Sequence, residues 1–157
     1  MWQQGGQQGY GGQQGYGGLK ESPHIGGHGG QYIDFTQNPN LSLVAVRGRC
    51  GQLIDNLQFL FVDINTHQYV ESPRVGGNGG SEFMFQAPPG QWINEVQYKS
   101  GELVDALRFK TNQGVESGYY GGQGGNGGNF KTANGRITGV KMRGGSNVDG
   151  FSCVYVE

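Results

Sequence analysis

Apolar and polar residues alternate with a period of two in several stretches of the chain. The alternation is clearest after three aspartates, with apolar residues at 57, 59 and 61, at 107 and 109, and at 151, 153 and 155. Other apolar stretches at 41–46, 92–98 and 137–142 are separated by turn sequences such as Pro88-Pro89-Gly90. This period, with aromatic and β-branched residues, predicts half-buried antiparallel strands. Because no segment has a sustained helical period, we expect an all-β protein with essentially no helix.

Two short motifs each occur three times, in matching order. A glycine cluster lies at residues 21–30 (ESPHIGGHGG), 71–80 (ESPRVGGNGG) and 116–128 (ESGYYGGQGGNGG). A Gly-x-x-x-Asp loop follows each cluster, within residues 49–55 (RCGQLID), 99–105 (KSGELVD) and 143–149 (RGGSNVD). Such recurrence is typical of internal repeats. It predicts three units of roughly 45–50 residues, each forming one short antiparallel sheet around a shared core.

The first 18 residues differ from the rest of the chain. They contain QQGYGG twice in tandem, and polar, glycine-rich sequence of this kind cannot bury enough apolar surface to fold. We therefore predict a disordered tail at 1–18 and one folded domain at 19–157. The tail is interpreted either as a flexible leader without a role of its own or as a self-associating segment.

Composition and charge exclude several classes of partner. The chain has 33 glycines, 15% charged residues and a net charge of −1, and its basic residues form no run. Nucleic acids and anionic membrane surfaces require clustered Lys and Arg, so neither is expected as a partner. No apolar run is long enough to span a bilayer, and the N-terminus lacks the pattern of a signal peptide. We expect a protein that is cytoplasmic, or secreted without a signal peptide.

The repeated motifs resemble those of the jacalin-related lectins. The similarity covers residues 19–157 and includes the GGxGG clusters, the Gly-x-x-x-Asp loops and the closing GRITGVKMRGGSNVDGFSCVYVE. The resemblance implies a β-prism of three four-stranded Greek-key sheets with pseudo-threefold symmetry. It also implies a lectin for glycans. Galactose-specific members of the family depend on an N-terminal glycine that proteolysis frees at the first cluster, whereas this chain runs continuously through residues 26–30, which favours mannose or glucose. We expect several sites on one domain, and more in a homodimer or higher oligomer, to bind glycans through avidity.

The residue types in these motifs suit sugar binding independently of the resemblance. An ionised carboxylate can accept hydrogen bonds from two adjacent sugar hydroxyls, while backbone amides donate to others. Glycine at the start of the loop would let the backbone turn, and the bare glycine cluster would let main chain approach the sugar. Alternatively, the glycines only form tight turns and each aspartate caps its own loop. Three coordinated copies favour binding.

The resemblance pairs each loop with the glycine cluster of the next unit, and the last loop with the first cluster. Three predicted sites follow. The first contains Gly30, Gly145, Ser146, Asn147 and Asp149, the second Gly80, Gly51, Gln52, Leu53 and Asp55, and the third Gly128, Gly101, Glu102, Leu103 and Asp105. In each site the aspartate would accept from the sugar, and the two residues after the loop glycine would donate their amides. The third cluster is extended, so Gly125 is an alternative to Gly128.

Other chemical functions find little support in the residues. The histidines lack partners at zinc-ligand spacing, and no acidic calcium loop occurs, so no metal or other cofactor is expected. Cys153 takes the place of Phe59 and Phe109 in the alternation, which predicts a buried thiol rather than a disulfide with Cys50. No nucleophile is paired with a base, so an enzyme is not expected. Glycoside hydrolysis needs two carboxylates facing one bond, and Glu102, in the loop of Asp105, is the one candidate for a second carboxylate. The alternative to a lectin is a self-assembling matrix protein that uses the β-prism as a scaffold.

Overall fold

The computed structural model describes residues 18–157, which form fourteen β-strands and contain no helix, and therefore no helix able to cross a membrane. The first sheet contains β1 (Lys20–Glu21), β2 (Ile25–Gly26), β3 (Gln31–Phe35), β13 (Arg136–Gly144) and β14 (Val148–Val156). The second contains β4 (Leu41–Cys50), β5 (Ile54–Asp63), β6 (Tyr69–Glu71), β7 (Val75–Gly76) and β8 (Ser81–Gln86). The third contains β9 (Ile93–Ser100), β10 (Val104–Thr111), β11 (Tyr120–Gly121) and β12 (Asn126–Lys131). The predicted tail, apart from Gly18, lies outside the described residues.

Each sheet has a long central hairpin flanked by short strands, and all the pairings are antiparallel. The strand orders are β1-β14-β13-β3, β6-β5-β4-β8 and β11-β10-β9-β12, with β2 on β14 and β7 on β5 as additional pairs. This arrangement confirms the predicted all-β prism of three sheets. One detail differs from the prediction, because a sheet does not coincide with a sequence unit. The hairpin β4–β5 pairs with the strands around the second glycine cluster, and the last hairpin, β13–β14, pairs with the N-terminal strands.

The core lies where the inner faces of the three sheets meet. The alternating aromatic residues Phe59, Phe109 and Phe151 are completely buried, as is Cys153. Phe59 and Phe151 lie in contact across two sheets, with ring centroids 5.9 Å apart. Burial of each such side chain stabilises the fold by about 1.5–3 kcal/mol. The shared aromatic core therefore holds the three sheets together.

The Glu-Ser pair that opens each glycine cluster has a structural role that the sequence analysis did not assign. Each serine is buried, and its hydroxyl accepts the N–H of a residue in the adjoining central strand at 2.9 Å, the pairs being Ser22 with Cys153, Ser72 with Phe59, and Ser117 with Phe109. The serine N–H donates back to the carbonyl of the same partner. Two hydrogen bonds therefore fix the chain to the hairpin just before every cluster.

The glutamate of each pair lies near a basic side chain of the adjoining central hairpin. Glu21 lies 2.9 Å from the Lys141 ammonium, and Glu116 lies 3.2 Å from that of Lys110. In the second sheet Glu71 is 3.9 Å from Arg47. The repeated Glu-Ser pair thus fixes where each glycine cluster begins.

Candidate functional site

The three Gly-x-x-x-Asp loops are the turns of the central hairpins, so they share one geometry. In each turn the N–H of the glycine donates to the carbonyl of the residue two positions later at 3.0 Å, at Gly51, Gly101 and Gly145. The residue before each aspartate is completely buried and anchors the turn in the core, at Ile54, Val104 and Val148. Because neighbouring residues of a strand face opposite sides, the aspartate that follows lies half-buried at the surface.

Each aspartate joins its loop to a glycine cluster through its main chain. The carbonyl oxygens of Asp55, Asp105 and Asp149 accept the N–H groups of Gly77, Gly122 and Gly27, at 2.7, 2.9 and 2.7 Å. Asp55 therefore lies against the second cluster, Asp105 against the third and Asp149 against the first. The structure brings the loops and clusters together in the pairs that the resemblance implied.

The aspartate carboxylates face the end of each cluster, where only glycine fits. A Cβ built on Gly30 would lie 2.8 Å from Asp149 Oδ1, and one on Gly80 would lie 2.6 Å from Asp55 Oδ2. Both glycines have a positive φ, 75° and 72°, which side chains with a Cβ rarely adopt. Each site therefore presents a carboxylate beside bare main chain.

In the third site the glycine in this position is Gly125, the alternative given in the sequence analysis, rather than Gly128. Gly125 has a φ of 79°, and a Cβ built there would lie 2.7 Å from Asp105 Oδ1. Gly128 instead lies in β12, paired with Tyr98, whose ring fills the space beside it. The physical reason is that GGQGG completes the bend, and the extra glycines continue as strand.

The loop glycines have a different role from the one expected. Gly101 and Gly145 do not have a positive φ, and a Cβ on either would meet no described atom within 4 Å. The turn itself therefore does not require glycine at these positions. The amides of the next two loop residues make no hydrogen bond to any part of residues 18–157, as for Gln52 and Leu53. The loops thus offer open space and free donors beside each aspartate.

A basic residue two positions before the loop glycine supports the clusters, and sequence reasoning missed it. Arg49 donates to the carbonyls of Gly79 and Gly80 at 3.0 and 2.7 Å, and Arg143 donates to that of His28 at 3.1 Å. The third copy is Lys99, whose ammonium lies 6.0 Å from the ring centre of Tyr119. The repeated basic residue in RCG, KSG and RGG was the available signal.

A second loop contacts every cluster, which the sequence did not predict. A Cβ built on Gly27 would lie 2.2 Å from the carbonyl oxygen of Glu102. A Cβ built on Gly77 or Gly122 would lie 2.4 Å from the carbonyl oxygen of Ser146 or Gln52, respectively. Each loop therefore serves its own site and forms a wall of a neighbouring site. At the third site this produces an open cleft of about 580 Å³, lined by Gln52, Leu53, Asp105, Gly122, Gln123 and Gly124.

The side chains around the three sites differ. Beside the first site the rings of His24 and His28 stack with centroids 4.4 Å apart. Arg74 takes the corresponding place at the second site and donates to Asn56. At the third site Tyr119 is half exposed and lies under the Arg108 guanidinium, 5.3 Å from the ring centre. The sites therefore share the aspartate, the loop and the glycine cluster, and differ in the side chains at their edges.

Comparison with known proteins decides the family. The family model described as the Jacalin-like lectin domain matches residues 22–153. The chain belongs to the jacalin-like lectin family. A search of curated proteins with this sequence gave no match.

Several solved lectins are similar to this jacalin-like domain. AcmJRL, a mannose-binding jacalin-related lectin from Ananas comosus, is 28% identical, with 88% of this chain and 98% of that chain covered and a TM-score of 0.78. Malaysian banana lectin (22% identical, 88% and 99% covered, TM-score 0.75) and artocarpin complexed with methyl-α-mannose (21%, 90% and 100%, 0.78) share the fold.

The two cysteines of the jacalin-like domain are free thiols, as expected from the alternation. Burial raises the pKa of Cys153 to about 12, and burial also raises that of Cys50. Residues 18–157 contain no group of three His, Cys, Asp or Glu side chains that could hold a metal ion. The chemistry available at the sites is therefore that of carboxylates, amides and rim side chains.

Proposed function

We propose that this jacalin-like domain binds mannose-type or glucose-type glycans at three sites, without a metal ion and without catalysis. The observation that carries the proposal is the position of each aspartate, whose carboxylate faces a bare glycine backbone while free loop amides lie beside it. This arrangement offers acceptors and donors together, which is what adjacent sugar hydroxyls require. The family and the mannose-binding neighbour from Ananas comosus support the choice of sugar.

Each site contains one carboxylate of its own, which argues for binding rather than hydrolysis. Glycoside hydrolysis uses two carboxyl groups on either side of the bond, about 5–9.5 Å apart. Glu102 reaches the first site only through its main chain, which presses on Gly27, and its exposed side chain forms no ion pair in the described part of the domain. The sites therefore hold a sugar without the second group that would cleave it.

Affinity is expected to arise from several weak sites. A shallow polar site binds a single sugar with a dissociation constant on the order of millimolar, about 4 kcal/mol. The three loops lie at the same end of the prism, since each contacts the glycine cluster of a neighbouring site. A branched glycan can therefore engage more than one site, and a homodimer would add further sites, which raises avidity through effective concentration.

The test replaces the three aspartates together. The variant carrying Asp55→Ala, Asp105→Ala and Asp149→Ala should lose binding on a glycan array while its circular dichroism spectrum stays unchanged. Asp34→Ala is the matched control, because Asp34 is exposed on β3 and its carboxylate accepts a hydrogen bond from the neighbouring Thr36. Wild-type binding by the triple variant would refute the proposal, and a preference for galactose over mannose would refute the choice of sugar.

A further inference from the structure

Asn147 contacts two of the candidate sites. Its main chain belongs to the loop of the first site, where its carbonyl accepts the N–H of Gly145 at 3.0 Å. Its side chain points to the second site, where Nδ2 donates to Asp55 Oδ1 at 2.8 Å. Both side chains are half-buried, so solvent does not fully compete for this hydrogen bond.

The main chain around Asn147 is held in place on both sides. Gly77, in the second cluster, lies so close to the carbonyl of Ser146 that a Cβ would reach 2.4 Å from it. Gly77 in turn donates to the main-chain carbonyl of Asp55 at 2.7 Å. The donor of Asn147 and the acceptor of Asp55 are therefore attached to backbones that already contact each other, which limits the freedom of both side chains.

This hydrogen bond decides the orientation of the Asp55 carboxylate. Asn147 occupies one acceptor position on Oδ1, and Oδ2 is the oxygen that faces Gly80. A carboxylate has about four acceptor positions, so enough remain for two sugar hydroxyls. A carboxylate that is oriented before the sugar arrives loses less conformational entropy on binding.

The other two sites lack this support. The residues that correspond to Asn147 in the other loops are Leu53 and Leu103, and a leucine side chain has no donor. Leu53 lines the cleft of the third site together with Asp105, so it occupies the corresponding place in space as well as in sequence. We propose that Asn147 is a positioning residue for Asp55, and that it makes the second site the tightest of the three. This inference rests on the proposed function.

The experiment measures the sites separately. Methyl-α-mannoside is titrated into the ¹⁵N-labelled full chain, and dissociation constants are taken from the amide signals of Gly79 and Gly80 for the second site and of Gly124 and Gly125 for the third. In the wild type the second site should bind methyl-α-mannoside about tenfold more tightly than the third site, as expected for one hydrogen bond to a charged group. Asn147→Leu should weaken the second site about tenfold and leave the third unchanged. Asn65→Leu, in an exposed turn, is the matched control.

Two further readouts keep a general structural effect apart from positioning. If Asn147→Leu lowers the melting temperature, Asn147→Ala is measured in the same way, because it removes the donor without adding a branched side chain. The side-chain amide signal of Asn147 should also shift in Asp55→Ala and should not shift in Asp105→Ala. Equal weakening of the second and third sites, or an unchanged second site, would overturn the proposal. Binding that survives the triple aspartate variant would instead refute the proposed function itself.

Discussion

Alanine at the loop glycines should separate sugar binding from folding. Gly101 and Gly145 have open space where a Cβ would point, and neither has a positive φ. Gly30 and Gly125, in the clusters, have positive φ values of 75° and 79°. Gly101→Ala and Gly145→Ala therefore add a methyl group only to the surface that a sugar would contact, whereas Gly30→Ala and Gly125→Ala strain the backbone.

The two pairs of substitutions should change the free energy of unfolding in opposite directions. Where the native φ and ψ suit alanine, replacing glycine stabilises a protein by about 0.4–1 kcal/mol, because the unfolded chain loses freedom. In the left-handed region a Cβ costs roughly 1–2 kcal/mol. A Cβ on Gly30 would also lie 2.6 Å from the main chain of Gly144. A Cβ on Gly125 would lie 2.7 Å from the main-chain nitrogen of Ser100 and 2.7 Å from Asp105 Oδ1. We expect these two variants to lose at least about 2 kcal/mol.

Urea denaturation measures the free energy of unfolding, and methyl-α-mannoside titration measures binding at each site. Gly145→Ala should unfold at the same or a higher urea concentration than the wild type and should bind sugar at least tenfold more weakly at the first site, with Gly101→Ala behaving likewise at the third. Full sugar affinity in Gly145→Ala would show that the loop glycine does not contact the ligand. Wild-type stability of Gly30→Ala would contradict the cluster geometry.

Two other predictions concern the thiols and the outer face of the first sheet. Because burial raises the pKa of Cys153 to about 12, iodoacetamide at pH 8 should leave Cys153 unmodified in the folded protein and modify it in urea, as read by mass spectrometry; rapid modification without urea would contradict its burial. Partial burial acts to raise the pKa of Glu21, but hydrogen bonds from Lys141 and Ser152 outweigh it and leave the pKa below its ordinary value of 4.5. Ionised Glu21 therefore stabilises the fold above that pH, and the stabilisation is lost as the pH falls through the lower folded value. Glu21→Gln should flatten the loss of unfolding free energy in acid, and an unchanged pH profile would show that the Glu21–Lys141 pair contributes nothing.

The family resemblance implied the pairing of loops with clusters, whereas the repeated units themselves were predictable from the sequence. Three copies of each motif in the same order imply one structure used three times, and the alternation of Phe59, Phe109 and Phe151 places the following strands in one core. The aspartates were identifiable for the same reason, since each ends a Gly-x-x-x-Asp loop that occurs three times. The basic residues Arg49 and Arg143 carried the same repeated signal, but their partners are carbonyl groups, which no side-chain pattern reveals.

The sequence by itself determined the strands, the threefold repeat and the aspartates, because hydrogen-bonded strands impose a period of two on any chain that buries one face. Only the tertiary structure decided that Gly125 rather than Gly128 lies beside Asp105, and that Asn147 donates to Asp55. Asn147 lies in the turn of the β13–β14 hairpin, and Asp55 lies in β5 of another sheet, far away in the chain. They meet because the shared core sets the distance between the hairpins, and no local pattern contains that distance.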